Sequence, residues 1–417
     1  MEIPIRYGKD EVINLKLDQK NLLGIFNPNQ VEKKDEETLI KEALAHPVQQ
    51  KSFDDFIAGD DPLVIIVNDG TRPTPTAKIL KEIYPKIRDR KKTFIIATGC
   101  HRVGNLEEYH MIFSKEIYEE IAAKDELHNH DAKNDPMTYL GASANGTEMY
   151  LNSIVAEAKK VVVIGSVEPH YFAGYTGGRK AFLPGVAKYE TIEQNHKLAL
   201  SHKAQALALA GNPVHEDMID AMKVLKDIDV FSIQTVLDSE HGVYFVSCGD
   251  LFASFDQCVE KADEVFCVTI PKKADIVISV APYPMDVDLY QAQKALDNGK
   301  LALAQDGILI MVAKCRTGIG PKPFFKLMAS APTGEEVLKK IDQEFHLGYH
   351  KAAKMAEISL WAQTWAVSDL SDEDMKAVHL KPYHDLQKAL DEALAEKGPD
   401  AFVVILPFGS MSVPKEA

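Results

Sequence analysis

The chain has 417 residues, 46% of them apolar and 26% charged, and a net charge of −15. This is a globular composition, too long for one ordinary core, so two domains are expected. The acidic balance excludes a nucleic-acid surface, which needs a basic stripe, and apolar runs of about 5–8 residues fall well short of the ~20 that cross a bilayer.

The first eight residues lack the charged-then-apolar pattern of a secretory leader. Five cysteines, Cys100, Cys248, Cys258, Cys267 and Cys315, stand apart with no CxxC pair. Reduced thiols in a cytoplasm are therefore expected, not a disulfide framework or a zinc ribbon.

Alternating apolar residues predict two short strands within residues 1–20. Residues 35–45 carry the acidic start and spacing of a helix. A buried strand over 62–69 ends in Asp69-Gly70-Thr71-Arg72-Pro73-Thr74-Pro75, and helical spacing follows through 76–88. A second buried strand over 93–98 ends in Gly99-Cys100-His101-Arg102, with a helical region to about 124. A third, over 160–164, runs into a loop from Gly165 to Lys180 that contains four glycines. Residues 186–228 read as mainly helical, interrupted by Gly211-Asn212-Pro213-Val214-His215-Glu216-Asp217. Strands over 229–237 and 242–248 and a helix over 250–264 close the first half.

A second α/β unit begins after Pro271-Lys272-Lys273. It has strands over 275–280, 307–312 and 401–406, and helices over 333–365 and 381–397. Continuous apolar strands alternating with helices predict mostly parallel sheets covered on both faces. The expected architecture is two α/β domains, residues 1–268 and 269–417, with an active site in the cleft between them.

The first three buried strands each end in a polar, Gly-rich turn, so candidate residues recur at one sheet edge, where open α/β sheets bind ligands. The loop over 165–180 has neither a Walker spacing nor a dinucleotide GxGxxG. Its plainer reading is a tight turn with a solvated lysine. The sharper one makes Lys180 a partly desolvated amine able to carry a covalent group. His101 and His170 end two of these strands and can serve as opposed acid and base near neutral pH; the bland alternative is that each packs a turn. His196, on the following helix, is a candidate metal ligand, whereas His202 lies six residues on, off that face. In the turn at Asp69, Thr71 adds a hydroxyl and Arg72 can hold a carboxylate or phosphate bidentately. Gln291 and Lys294 lie three apart on a predicted helix and share a face, which by itself is more often solvated than functional.

Taken in order, Asp69–Pro75, Gly99–Arg102, Glu168–Lys180, Gly211–His215 and Tyr290-Gln291-Ala292-Gln293-Lys294 resemble the nickel-dependent lactate racemase family, over essentially the whole chain. The Glu-Pro-His to Gly-Gly-Arg-Lys block carries the most specific part of the match.

The resemblance implies a nickel-pincer nucleotide, a pyridinium-3-thioamide-5-thiocarboxylic acid mononucleotide, covalently linked to Lys180. Nickel would take His196 as its protein ligand, and soft sulfur plus imidazole suits that metal. His101 and His170 match the paired acid/base histidines. Arg72 and Lys294, with Gln291 and Tyr290, match the residues that hold the substrate carboxylate. Asp69 and Thr71 fall where the cofactor's phosphoribosyl end is held, and Gly177 and Gly178 where its ring is accommodated.

The implied reaction is racemisation of a short 2-hydroxy acid, lactate first, by reversible hydride transfer. The implied partners are the substrate and cofactor-maturation enzymes. Ala295 suggests a roomier pocket than a lactate enzyme needs, and Trp361 or Trp365 is expected to line it. The rivals are the same chemistry on malate, an aryl-lactate or a sugar acid, and a non-catalytic protein that binds the nickel cofactor or a phosphate ligand.

Overall fold

The computed structural model describes residues 1–124 and 126–417. The chain divides into two compact units, Gln30–Val265 and a second made of Met1–Asn29 with Phe266–Ala417.

The contiguous unit is built on a six-stranded sheet. In spatial order its strands are Val243–Gly249, Asp229–Leu237, Lys160–Ser166, Leu63–Asn68, Lys92–Ala97 and Leu127–Asn129. The first pair is antiparallel and the rest are parallel. Central strands such as Leu63–Asn68 and Lys160–Ser166 bury both faces, which explains their unbroken Val/Ile runs. Helices Thr76–Ile87, Leu106–Phe113 and Lys115–Ala123 follow the strands. The core joins Ile65 and Phe94 of the sheet to Ile79, Ile83 and Ile87 of the first helix. From Leu63–Asn68 the chain builds outward through Lys92–Ala97 to Leu127–Asn129. It then returns to place Lys160–Ser166 on the opposite side of Leu63–Asn68. The strand order therefore reverses between these two strands, and the loops leaving their carboxyl ends diverge to form a crevice.

The second unit repeats the device. Its sheet runs Lys381–Tyr383, Gln363–Val367, Leu303–Val312, Ala274–Val280, Val403–Leu406 and Leu22–Ile25, all parallel. Its reversal lies between Ala274–Val280 and Val403–Leu406.

Two expectations are revised here. Residues 1–29 belong with the C-terminal sheet, because Leu22–Ile25 pairs beside Val403–Leu406. The hairpin Glu2–Tyr7/Glu11–Lys16 also sends Ile3, Ile5 and Leu15 into that core. The helix expected over 333–365 ends at Ser359, after a break between Gln343 and Tyr349, and Gln363–Val367 is a central strand. Its apolar residues, Trp365-Ala366-Val367, are too few to carry a period that separates a buried strand from a helix. The hairpin Met137–Ala142/Glu148–Asn152 and the helix Lys322–Ala329 are further elements, marked locally by Asn145-Gly146 in the connection of the first and by Pro323 in the first turn of the second.

Candidate active site

In the contiguous unit the candidate residues gather at the sheet reversal. After Leu63–Asn68 the chain turns tightly. The Asp69 carboxylate accepts from the Thr71 backbone N–H (3.0 Å) and hydroxyl (2.6 Å) through Oδ1. The Arg72 N–H bonds back to the Asp69 carbonyl at 3.1 Å. Asn68 donates to the Thr74 hydroxyl (2.6 Å), which meets the Ser166 hydroxyl at 2.9 Å, so the turn is tied to the end of the neighbouring strand.

The second oxygen of Asp69 meets His101 Nδ1 at 2.6 Å, across from the end of the adjacent strand. Burial alone would raise the Asp69 carboxyl. The His101 hydrogen bond and charge, the Thr71 hydroxyl and Arg72 outweigh burial and hold it below the ordinary carboxylate range. An ionised carboxylate can only accept, so His101 donates through Nδ1, and Nε2 is the nitrogen left for proton exchange. Asp69 and Thr71, expected at the cofactor's nucleotide end, thus have a task toward the histidine. Arg72 forms no ion pair among the described residues, and its charge is felt at both Asp69 and Lys180.

The loop after Lys160–Ser166 carries the rest. His170 is in a two-residue antiparallel bridge with Gly174–Tyr175, and its Nδ1 accepts from the Ala173 N–H at 3.3 Å. Gly177 has φ +79°, and a Cβ there would lie 2.6 Å from Val167 Cγ2 and 2.9 Å from the Ser166 carbonyl. Gly178 gives its N–H to Gln234 Oε1 (3.0 Å), and a Cβ would press on Phe255 at 3.1 Å. Packing within the unit therefore demands both glycines. Fully buried Arg179 pins the loop by donating to the Ala173 (2.8 Å) and Tyr175 (3.0 Å) carbonyls while stacking on Phe255. Lys180 keeps part of its surface accessible, yet desolvation first, then the charges of Arg179 and Arg72, lower its ammonium well below the ordinary lysine value. The result favours a neutral, nucleophilic amine.

One ring joins these groups. Phe172 lies 4.5 Å from the His170 ring and 5.1 Å from the His196 ring, edge to face in both cases, and 5.4 Å from Lys180 Nζ. His196, near the end of the helix Tyr189–Lys197, is buried.

In the second unit, Tyr290, Gln291 and Lys294 follow Ala274–Val280 at that sheet's own reversal. Asp288 caps the short helix Leu289–Ala292 by accepting from the Gln291 N–H at 2.7 Å. Lys294 opens the helix Lys294–Gly299. Ala295 is fully buried, and its carbonyl accepts from the Ser279 hydroxyl at 2.6 Å. Trp365 sits in the core stacked on Tyr383, and Trp361 precedes the amino end of Gln363–Val367, so neither tryptophan lies at the carboxyl edge.

Residues 7–208 match the model of the lactate racemase N-terminal domain and residues 269–413 that of the C-terminal domain. The chain belongs to the lactate racemase family. Relatives in this family include the lactate racemases of Thermoanaerobacterium thermosaccharolyticum, 30% identical over 99% of both chains, and Lactiplantibacillus plantarum, 30% identical over 98% of both. The structure of the T. thermosaccharolyticum lactate racemase apoprotein superposes with a TM-score of 0.91, covering all of both chains. A Thermotoga maritima protein, 16% identical, shares the fold with a TM-score of 0.69, covering 93% of this chain and all of its own.

Among the described residues of this family member, no three His, Cys, Asp or Glu side chains converge as a metal cage. A metal at His196 would need donors from outside the protein, which is what a sulfur-bearing organic ligand offers. Lys180, as a desolvated amine, suits covalent attachment of such a group, so the residues fit it. Sequence reasoning missed Phe172 and Asn212. Both stood inside quoted motifs but offered no titratable group, and Asn212 lay in a stretch read only as an interruption of a helical region.

Proposed function

We propose that this protein is an isomerase that racemises a short 2-hydroxy acid, lactate first. The observation that carries the reading is the Asp69–His101 pair at 2.6 Å, on the same sheet edge that leads to His170 and Lys180. Family membership supports the substrate.

The nickel-pincer nucleotide that the family resemblance implies supplies, when bound, a reversible acceptor for the C2 hydrogen and its electron pair. Lys180 would hold it covalently and His196 would be its protein ligand to nickel, with Asp69, Thr71, Gly177 and Gly178 around its seat. Arg72 and Lys294, aided by Gln291 and Tyr290, fix the substrate carboxylate so that C2 stays in reach while the planar keto acid reorients. His101 Nε2 takes the hydroxyl proton of one enantiomer, and His170 serves the other. Two bases are required because the hydroxyl of each enantiomer is presented on its own side of C2. A cytoplasmic location suits the five free thiols, and cofactor-maturation enzymes are the expected partners.

The test is loss of optical rotation from pure L-lactate by cofactor-loaded protein, read beside intact mass. An adduct that vanishes in Lys180→Ala, together with racemisation that vanishes in His101→Asn and in His170→Asn, is the expected result. An adduct with turnover of another hydroxy acid but not lactate would revise the substrate. An adduct with no turnover of any would make this a cofactor-binding protein.

A further inference from the structure

The Gly-Asn-Pro turn and the helix it starts, Pro213–Ala221, take no part in the chemistry above, yet this helix reaches the Phe172 loop through Asn212 and the helix Tyr189–Lys197 through Asp217. Asn212 is fully buried at its amino end. Its Oδ1 caps the helix by accepting from the Val214 N–H at 3.1 Å. Its amide nitrogen donates to the Phe172 carbonyl (2.8 Å) and the Ala208 carbonyl (2.9 Å). Asn, Asp, Ser or Thr would serve the cap alone; only Asn also supplies an amide donor for Phe172.

Further along the same helix, Asp217 is buried and, among the described residues, has no cation against it. Its carboxylate accepts from the hydroxyls of Ser143 and Thr147 (2.8 Å for Thr147) and from Asn195 Nδ2 at 2.8 Å. Asn195 also donates to the Val214 carbonyl at 3.3 Å and immediately precedes His196. A buried carboxylate held only by neutral donors is costly to desolvate and is better suited to fixing a geometry than to adding net stability. The loop side is equally constrained: Gly174, at φ +77°, leaves no room for a Cβ, which would lie 2.3 Å from the Ala208 carbonyl.

We propose that the helix Pro213–Ala221 is a strut that sets His170 and His196 in register. Asn212 is the positioning residue for the Phe172 loop and Asp217 the one for the His196 helix. The functional consequence rests on the racemase reading; the geometric one does not. With Phe172 held from below, its ring keeps His170 and His196 at fixed edge-to-face distances. Lys180, over the same ring, shares that reference.

Asn212→Asp keeps the cap oxygen and removes the donor, and Asp217→Asn keeps the shape and replaces an acceptor with a donor. Full-length unloaded protein, labelled at histidine and assigned by single substitutions, gives ring nitrogen shifts; thermal unfolding is followed in parallel. Expected are folded variants in which the His170 ring moves in Asn212→Asp, the His196 ring moves in Asp217→Asn, and His101 stays in place. In loaded protein, kcat falls at least tenfold with KM little changed and the Lys180 adduct still formed. Should Asn212→Asp not fold, Asn212→Ser, which keeps a cap oxygen without the amide, takes its place. Unmoved His170 and His196 rings in folded variants would overturn the strut, even if activity were lost. Loaded wild-type protein without turnover would overturn the racemase reading instead, leaving the ring shifts to decide the strut.

Discussion

Asp69 is the residue whose reading changes most once its partners are known. By position it suits a turn; by contact it orients His101 and leaves Nε2 as the nitrogen open to proton exchange. Asp69→Asn keeps the shape and loses the charge, so kcat should drop by about 10²–10⁴, the usual worth of a positioned acid–base group. Steady-state rates from pure L- and pure D-lactate check this. A racemisation has an equilibrium constant of unity, so kcat/KM must fall equally for both enantiomers, and the asymmetry between the histidines can appear only in kcat and KM taken separately. Asp69 also sets a pH dependence. Its folded carboxyl lies below its unfolded value, so its stabilising contribution is complete above roughly pH 4 and fades as pH falls through the lowered folded value. Denaturant unfolding of wild type and Asp69→Asn should therefore differ at pH 5, and the gap should narrow in more acidic buffer. A gap that widens toward acid would contradict the pairing.

Among the elements, the loop over 165–180 shows why glycine count misleads. Gly177 and Gly211 have nearly the same φ, +79° and +77°. A Cβ at Gly177 meets Val167, Gln234 and the Ser166 carbonyl within 2.9 Å, whereas at Gly211 nothing lies within 4 Å. Gly211→Ala should then cost about 1 kcal/mol from backbone strain alone, and Gly177→Ala about 3 kcal/mol or more, because overpacking adds to strain. Equilibrium unfolding of the two variants measures the difference; equal losses would mean that φ alone decides. The strands were visible for the opposite reason. Leu63–Asn68 and Lys160–Ser166 are buried on both faces, and burial leaves a continuous apolar run that reads locally. Gln363–Val367 has the same environment but follows directly on a helix, so its run merged with that pattern.

For the whole molecule, the division into Gln30–Val265 and the discontinuous remainder predicts how fragments behave. Residues 30–265 hold a complete sheet and a self-contained core. Expressed alone, this segment should unfold cooperatively with near-native circular dichroism. Residues 266–417 alone lack the edge strand Leu22–Ile25 and the hairpin that buries Ile3, Ile5, Leu15 and Leu17. They should be insoluble or unfolded, and adding residues 1–29 back through a linker should restore a cooperative transition. A well-folded 266–417 fragment would contradict the division.

The sequence by itself determined the fold class, the polar turns that end the buried strands and the family. Each of these is written in local patterns of burial, glycine and charge that span fewer than about twenty residues. It could not determine which strands lie side by side, because pairing is set by packing between distant segments. Only the tertiary structure put Leu22–Ile25 into the far sheet, joined Asp69 to His101 across 32 positions, and hung Phe172 from Asn212 across 40. Those contacts lie where strand order reverses and loops part, so residues with no local signature acquire their roles from the chain crossing over the sheet.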